Sequence, residues 1–182
     1  GNQRDQKGVS VFLVDKSAKG IATSDYATVD GLRASEIHFE NVEVPAARLI
    51  GTADDGYALV ERAVDEAIAA HCAEATGAMK VLVDTTVEYS KTRKQFGVPI
   101  GKFQALQHRM VDMFINYEQS VSMTLMVTLK LGESDGERAK AASAAKVQIG
   151  KAGRSVGQEA VQIHGGIGMT EELNVGHYFK RL

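Results

Sequence analysis

The stretch RKQFGVPIGKFQ, Arg93 to Gln104, decides how this chain is read. It lies between two long runs with helical spacing, yet it is not an ordinary connector. A helix-to-helix turn needs a few polar residues and a glycine. Here an Arg, two Gln, two Phe and a Gly-Val-Pro-Ile-Gly turn crowd into one link. Arg93 offers a planar fork suited to a phosphate. Phe96 and Phe103 offer flat apolar surfaces, while Gln95 and Gln104 can each donate and accept hydrogen bonds. Taken alone, the segment also reads as two core-plugging Phe and a surface Arg.

Working outward, helical period rules on both sides. Before the stretch, Leu59, Val60, Ala63, Val64, Ala67 and Ile68 recur as one stripe, continued by Met79, Leu82, Val83 and Val87. This spacing predicts a single helix over about 54–92, with its apolar stripe inward. After the stretch, Leu106, Met110, Met113, Phe114, Tyr117, Val121 and Leu125 predict a second helix over about 102–131, the same residues facing in. GESDG, Gly132 to Gly136, is the turn. A third helix, over about 137–164, is rich in alanine. Such small side chains permit close helix approach in a bundle or at a subunit interface, and they also carry high intrinsic helix propensity. A fourth helix is expected to open at Thr170.

The first fifty residues follow a different period. Val9 to Val14 and Glu36 to Val44 are β-branched and aromatic, bounded by Gly20, Gly31 and Pro45, and read as strands. Ile37 and Phe39 share a face, and Asn41 interrupts the alternation. The expected organisation is residues 1–52 as a strand region and residues 53–182 as an up-and-down helical bundle. Two strand runs make only part of a sheet, and NVGHYFKRL ends inside a helical pattern without a stop signal. Both ends therefore read as cut from a longer protein.

A second unusual string closes the third helix: QIHGGIGMTEE, Gln162 to Glu172. Gly165, Gly166 and Gly168 strip Cβ atoms from the path of anything that must approach the backbone. A helix opening at Thr170 would add a favourable dipole for an anion. Glu171 and Glu172 would repel that anion, so the glycine backbone is the better place for it.

Bulk properties exclude several classes. A net charge of −2 and a pI near 6.2 argue against nucleic acid as a partner. No apolar run approaches the roughly 18 residues that a membrane span needs. One cysteine, Cys72, rules out an internal disulfide or a cysteine-based zinc site, so a cytoplasmic setting is expected, and no metal site is. Cys72 sits among helical alanines, where packing is its expected role rather than nucleophilic attack.

Taken together, the strand region, the long helix, YSKTRKQFGVPIGKFQALQHRMVDM, the alanine-rich helix and VQIHGGIGMTEE resemble the acyl-CoA dehydrogenase family. DGLRASEIHFENVEVPAARLIG is similar to the last strands of that family's middle β-domain. The resemblance covers nearly the whole chain and is greatest to bacterial members that are of the pimeloyl-CoA dehydrogenase small-subunit type or act on unusual acyl groups. It implies a C-terminal four-helix bundle preceded by part of the β-domain. It also implies a flavoenzyme that removes two hydrogens from the α and β carbons of an acyl-CoA, with a carboxylate as base and FAD as hydride acceptor.

Residue by residue, the resemblance implies that Arg93, Gln95, Phe96, Phe103 and Gln104 reach a neighbouring subunit's FAD. Gln162, Ile163, Gly165 and Gly166 would line the adenosine and pyrophosphate side of that same FAD. A dimer or tetramer, possibly heteromeric, and an electron-transferring flavoprotein are the partners it implies. The usual glutamate base belongs to a segment beyond Leu182. In members with the base on the first long helix, the matching position here is Ala67, with Glu66 turned about 100° away. The catalytic residue is therefore not assigned. Glu66 reads as a solvated helix acid and His71 as a packed or capping histidine. Three readings remain beside the dehydrogenase: a non-catalytic FAD-binding subunit of a heteromer, a family oxidase or flavin monooxygenase, and a cofactor-free helical interaction module.

Overall fold

Helical spacing builds most of the molecule, whose computed structural model describes residues 5–182. Two compact units result, one ending at Val64 and the other spanning Asp65–Leu182.

In the first unit, β1 (Val11–Phe12) pairs antiparallel with β4 (Leu49–Ile50), and β2 (Ile21–Ala27) pairs antiparallel with β3 (Arg33–Phe39). The sequence pointed to strands at 9–14 and 36–44; the structure corrects both. The first strand is shorter and pairs with Leu49–Ile50 rather than with the second run. The second run starts earlier, at Arg33, and stops at Phe39. It stops there because the chain turns: Asn41 takes a left-handed φ of 49°, and the Glu40 amide donates to the Gly20 carbonyl at 2.8 Å. A Cβ on Gly20, itself at φ 92°, would collide with the Glu40 carbonyl oxygen. Strand β2, IATSDYA, is a strand that composition hides. Its Thr, Ser and Asp break any apolar alternation, and its register follows the backbone ladder from Ile21↔Phe39 to Ala27↔Arg33, with the Ser35 hydroxyl donating to Asp25 across it. Ile37 and Phe39 do share a face, and both are exposed.

Helix α1 (Tyr57–Thr92) begins three residues later than expected. Residues 54–56 are held instead by the strand end: Asp54 has φ 64°, Gly8 donates to its carbonyl at 3.2 Å, and Gly56 donates to the Val9 carbonyl at 2.7 Å.

In the second unit, α1 continues and is followed by α2 (Gln104–Lys130), α3 (Asp135–His164) and α4 (Val175–Arg181). Asp135 and Glu137 in the first turn of α3 suit the helix dipole. Successive long helices run up and down, as the pattern predicts. Met79, Leu82, Met113, Val127, Ala142, Ala145, Ala152, Val156 and Ala160 form the fully covered core. Small residues on α3 do permit close packing within the chain. A Cβ on Gly153 would sit 3.3 Å from Leu182, and one on Gly157 would strike Phe179 of α4.

Inward assignments on two helices, and the start of the fourth helix, need correction. On α1, Leu59, Val60 and Val64 are exposed, and the buried ridge of the second unit starts instead with Asp65, Ala69 and Cys72. On α2, Phe114 and Leu125 are 51% and 60% exposed; the seam is Met113, Ser120 and Val127, seven residues apart. A seven-residue seam keeps one edge of a long helix in contact with its partner, so residues a quarter turn away face out. Leu106, Met110, Tyr117 and Val121 are half-buried. The fourth helix opens at Val175, not Thr170: Thr170 has an extended backbone, and its hydroxyl donates to the Ile167 carbonyl at 2.8 Å.

Candidate functional site

The connector between α1 and α2 is a hairpin. Strands β5 (Lys94–Gln95) and β6 (Val98–Pro99) pair, leaving Phe96 and Gly97 as a two-residue loop with φ of 54° and 81°. Two successive positive φ values make the mirror-image turn that suits the twist of hairpin strands. Asn or Gly usually takes the first position; here a phenylalanine does, at a backbone cost of roughly 1–3 kcal/mol. That strain does not bury the ring: Phe96 is 91% exposed and stands edge-to-face with Phe103, 6.1 Å away between ring centres.

The base of the hairpin is held firmly. The Ile100 amide donates to the Arg93 carbonyl at 2.8 Å, and Gln107 donates to the Gly101 carbonyl at 2.8 Å. Gly101 lies against the end of α1, where an added Cβ would stand 3.0 Å from the Ser90 hydroxyl and 3.1 Å from its carbonyl. On this anchored base Arg93, Gln95 and Gln104 are exposed. The Gln95 amide turns back to the Lys94 carbonyl at 2.9 Å. The Arg93 guanidinium has no ion-pair or hydrogen-bond partner among the described residues.

The glycine turn is built in the opposite sense. Helix α3 ends because Gly165 adopts φ 66° and ψ −144°, and its amide donates to the Val161 and Gln162 carbonyls. Side chains avoid that backbone region. A tight turn over Gly165–Met169 follows. Gly168 is filled by its own chain, since a Cβ there would lie 2.8 Å from the Val161 carbonyl and 3.0 Å from the His164 Cβ. Gly166 has neither reason: its φ is not positive, and nothing lies within 4 Å of where its Cβ would be. Gln162 is exposed beside it and Ile163 is buried in the core. Beyond the turn, Glu171 pairs with Lys180 at 3.1 Å and His177 at 3.0 Å, and Lys180 above all holds its carboxyl below the usual range. The expected repulsion of an anion by Glu171 is thus partly offset.

Both segments stand at one end of the bundle. Tyr89, one turn before Arg93, stacks on His164, the last residue before Gly165, with ring centres 4.3 Å apart and planes at 27°. Arg109 of α2 forks onto Glu159 of α3 at 2.6 Å on the same side. His164 went unread in the sequence. The signal available was its place directly before a chain-reversing glycine pair, one helical turn after Ala160, whose carbonyl its Nδ1 meets at 2.8 Å.

Acid–base candidates near the first helix do not gather into a site. Asp65 is buried and bound to the buried Arg138 at 3.1 Å, which also holds Asp135 at 2.7 Å. Glu66 is exposed. His71 is neither packed nor capping: it is exposed, with its Nδ1 3.5 Å from Glu74. Cys72 is buried, as a packing residue would be, and burial pushes its thiol up while Lys146 pulls it back. Among the described residues no three metal-ligating side chains gather, and no helix is long and apolar enough to cross a membrane.

Comparison with known proteins bears on the fold and the family. A family model described as "Acyl-CoA dehydrogenase, C-terminal domain" matches residues 54–182. The chain is 32% identical over 179 residues to the probable acyl-CoA dehydrogenase YngJ of Bacillus subtilis, covering 96% of this chain and 47% of that protein. Among solved structures it resembles butyryl-CoA dehydrogenase from Megasphaera elsdenii, with a TM-score of 0.88, 26% identity, and coverage of 100% of this chain and 48% of that one. It also resembles PigA, solved with FAD and proline, with a TM-score of 0.88, 29% identity, and coverage of 96% and 46%. The chain spans about half the length of the curated relatives it matches. By the match over its helical part, this chain belongs to the acyl-CoA dehydrogenase family.

Proposed function

We propose that this chain forms one wall of an FAD site in an enzyme that dehydrogenates an acyl-CoA thioester between its α and β carbons. One observation carries the reading: two segments with unusual composition, far apart in sequence, lie at one end of the bundle with polar and aromatic groups turned outward. The residues suit a dinucleotide flavin. Arg93 supplies an exposed fork for a pyrophosphate. Phe96 is held out in a strained backbone as an apolar face, and the space where a Gly166 Cβ would stand is open. FAD, when bound, accepts the hydride that leaves the β carbon.

The chain's own contribution is binding and orientation. Arg93 neutralises phosphate charge; Gln95, Gln104 and Gln162 offer amides that donate and accept; Phe96 and Phe103 exclude water from one side. Gly165 and Gly166 let backbone approach where side chains would block it. The α-proton has no acceptor assigned here: the helix position that could carry one is Ala67, and the nearby Asp65 is committed to Arg138. Oligomeric assembly, with these segments reaching a neighbouring subunit's cofactor, and an electron-transferring flavoprotein as electron acceptor complete the reading. The resemblance to pimeloyl-CoA-type small subunits makes a dicarboxylic acyl group the first substrate to try.

The test is the absorption spectrum of the intact protein, titrated anaerobically with acyl-CoAs that include dicarboxylic ones. Bleaching of the flavin band by one of them supports the dehydrogenase. FAD binding without bleaching by any acyl-CoA would favour a non-catalytic subunit. Rapid reoxidation of the bleached flavin by oxygen would favour an oxidase. A protein that takes up no FAD would end the proposal.

A further inference from the structure

We propose that Tyr89 and His164 are a positioning pair that couples the connector to the glycine turn, so that the two segments present their groups as one surface; the role in cofactor binding rests on the function proposed above. The coupling follows from a chain of contacts, each visible in the structure. The Arg93 amide donates to the Tyr89 carbonyl at 2.9 Å, so the start of the connector is tied to Tyr89. The Tyr89 ring lies on the His164 ring, and its hydroxyl makes a long hydrogen bond, 3.4 Å, to the His164 carbonyl. That carbonyl belongs to the last residue before Gly165. Gly168 then folds back so closely that a Cβ would lie 3.0 Å from the His164 Cβ. A shift at either ring is thereby transmitted to both segments.

His164 is unusual for a residue that only fills space. It is 4% exposed, and its Nδ1 faces the Ala160 carbonyl, which fixes the proton on that nitrogen. The other nitrogen, Nε2, is buried with no hydrogen-bond partner among the described residues. A buried polar atom left unpaired is unfavourable, so the ring is held for its flat face and its fixed orientation rather than for a bond at Nε2. Replacing it with a phenyl ring keeps the face and removes only the unused polar atom together with the Ala160 contact.

Backbone amide exchange in the intact protein, with no cofactor added, tests this. His164→Ala should speed exchange about tenfold in the connector, Gln95 to Ile100, as well as in its own turn, Gly166 to Thr170. Tyr89→Ala should do the same in the turn, although that turn lies far along the sequence. His164→Phe and Tyr89→Phe should stay near the parent in both segments. Loosening confined to the mutated residue's own segment would overturn the coupling, as would a His164→Phe that behaves like His164→Ala. If an alanine variant fails to fold, Tyr89→Leu and His164→Leu, which keep bulk but lose the flat ring, are read by the same criteria. Cofactor affinity of the intact protein separates the two proposals. Coupled exchange with no FAD loss in Arg93→Ala leaves the pair standing and removes the cofactor reading. FAD loss in Arg93→Ala with uncoupled exchange does the reverse.

Discussion

Phe96 in the connector and Gly166 in the glycine turn sit at the same end of the bundle and do opposite things. The connector tolerates a left-handed phenylalanine in order to hold an aromatic ring in the open. The turn leaves a position bare where its own chain needs no bareness. Within one GGIG string the three glycines have three separate causes: Gly165 a backbone that excludes side chains, Gly168 a close approach to α3, and Gly166 nothing internal at all. A glycine motif therefore does not report function as a whole. The member without an internal reason is the one that points to something outside the chain.

The largest effect expected from this contrast is at Gly168. Gly168→Val places a branched side chain against the Val161 carbonyl and should cost about 2–3 kcal/mol. In a domain of this size that lowers the melting temperature by roughly 4–12 °C, read by thermal unfolding. An unchanged melting temperature would show that the turn is not packed as described.

Next comes Arg93. If its fork holds a pyrophosphate, Arg93→Ala in the intact protein removes a charge-assisted contact of roughly 1.5–3 kcal/mol, so FAD should dissociate about ten- to a hundred-fold more readily. Arg93→Lys should recover only part of that, because an ammonium lacks the planar fork. Since the resemblance puts the contact across a subunit boundary, FAD loss and oligomer dissociation should move together on a sizing column. A purely surface arginine would change neither.

A smaller effect of opposite sign is expected at Phe96. Phe96→Asn relieves the left-handed backbone and should raise the chain's own stability by up to about 1 kcal/mol, measured by urea unfolding. A fall in stability would mean that the ring supports the fold. The smallest effect is at Gly166, where Gly166→Ala meets open space and should shift unfolding by less than about 0.5 kcal/mol.

How much of this was legible without coordinates differs by region. The bundle was legible because helical period and glycine and proline punctuation agree along α1, α2 and α3. The phase within the helices was less so: Phe114 and Leu125 are as apolar as Met113 and Val127, and only the seven-residue seam distinguishes them. Strand β2 escaped because an exposed ladder needs no apolar alternation. In the candidate site, the residue types of the connector were visible as out of place for a linker. The hairpin was not, since Phe-Gly is a rare occupant of such a turn. His164 was hidden because a histidine's role depends on what its ring meets, and Tyr89 lies far away in sequence.

The central claim is that the connector and the glycine turn face one cofactor. It is tested most directly by measuring FAD dissociation from the intact protein carrying Arg93→Ala, Gly166→Val and both together. The account predicts that each single change weakens FAD binding, and that the double change departs from the sum of the two by at least about 0.5 kcal/mol, as groups on one ligand do. Parental affinity in both single variants would contradict it.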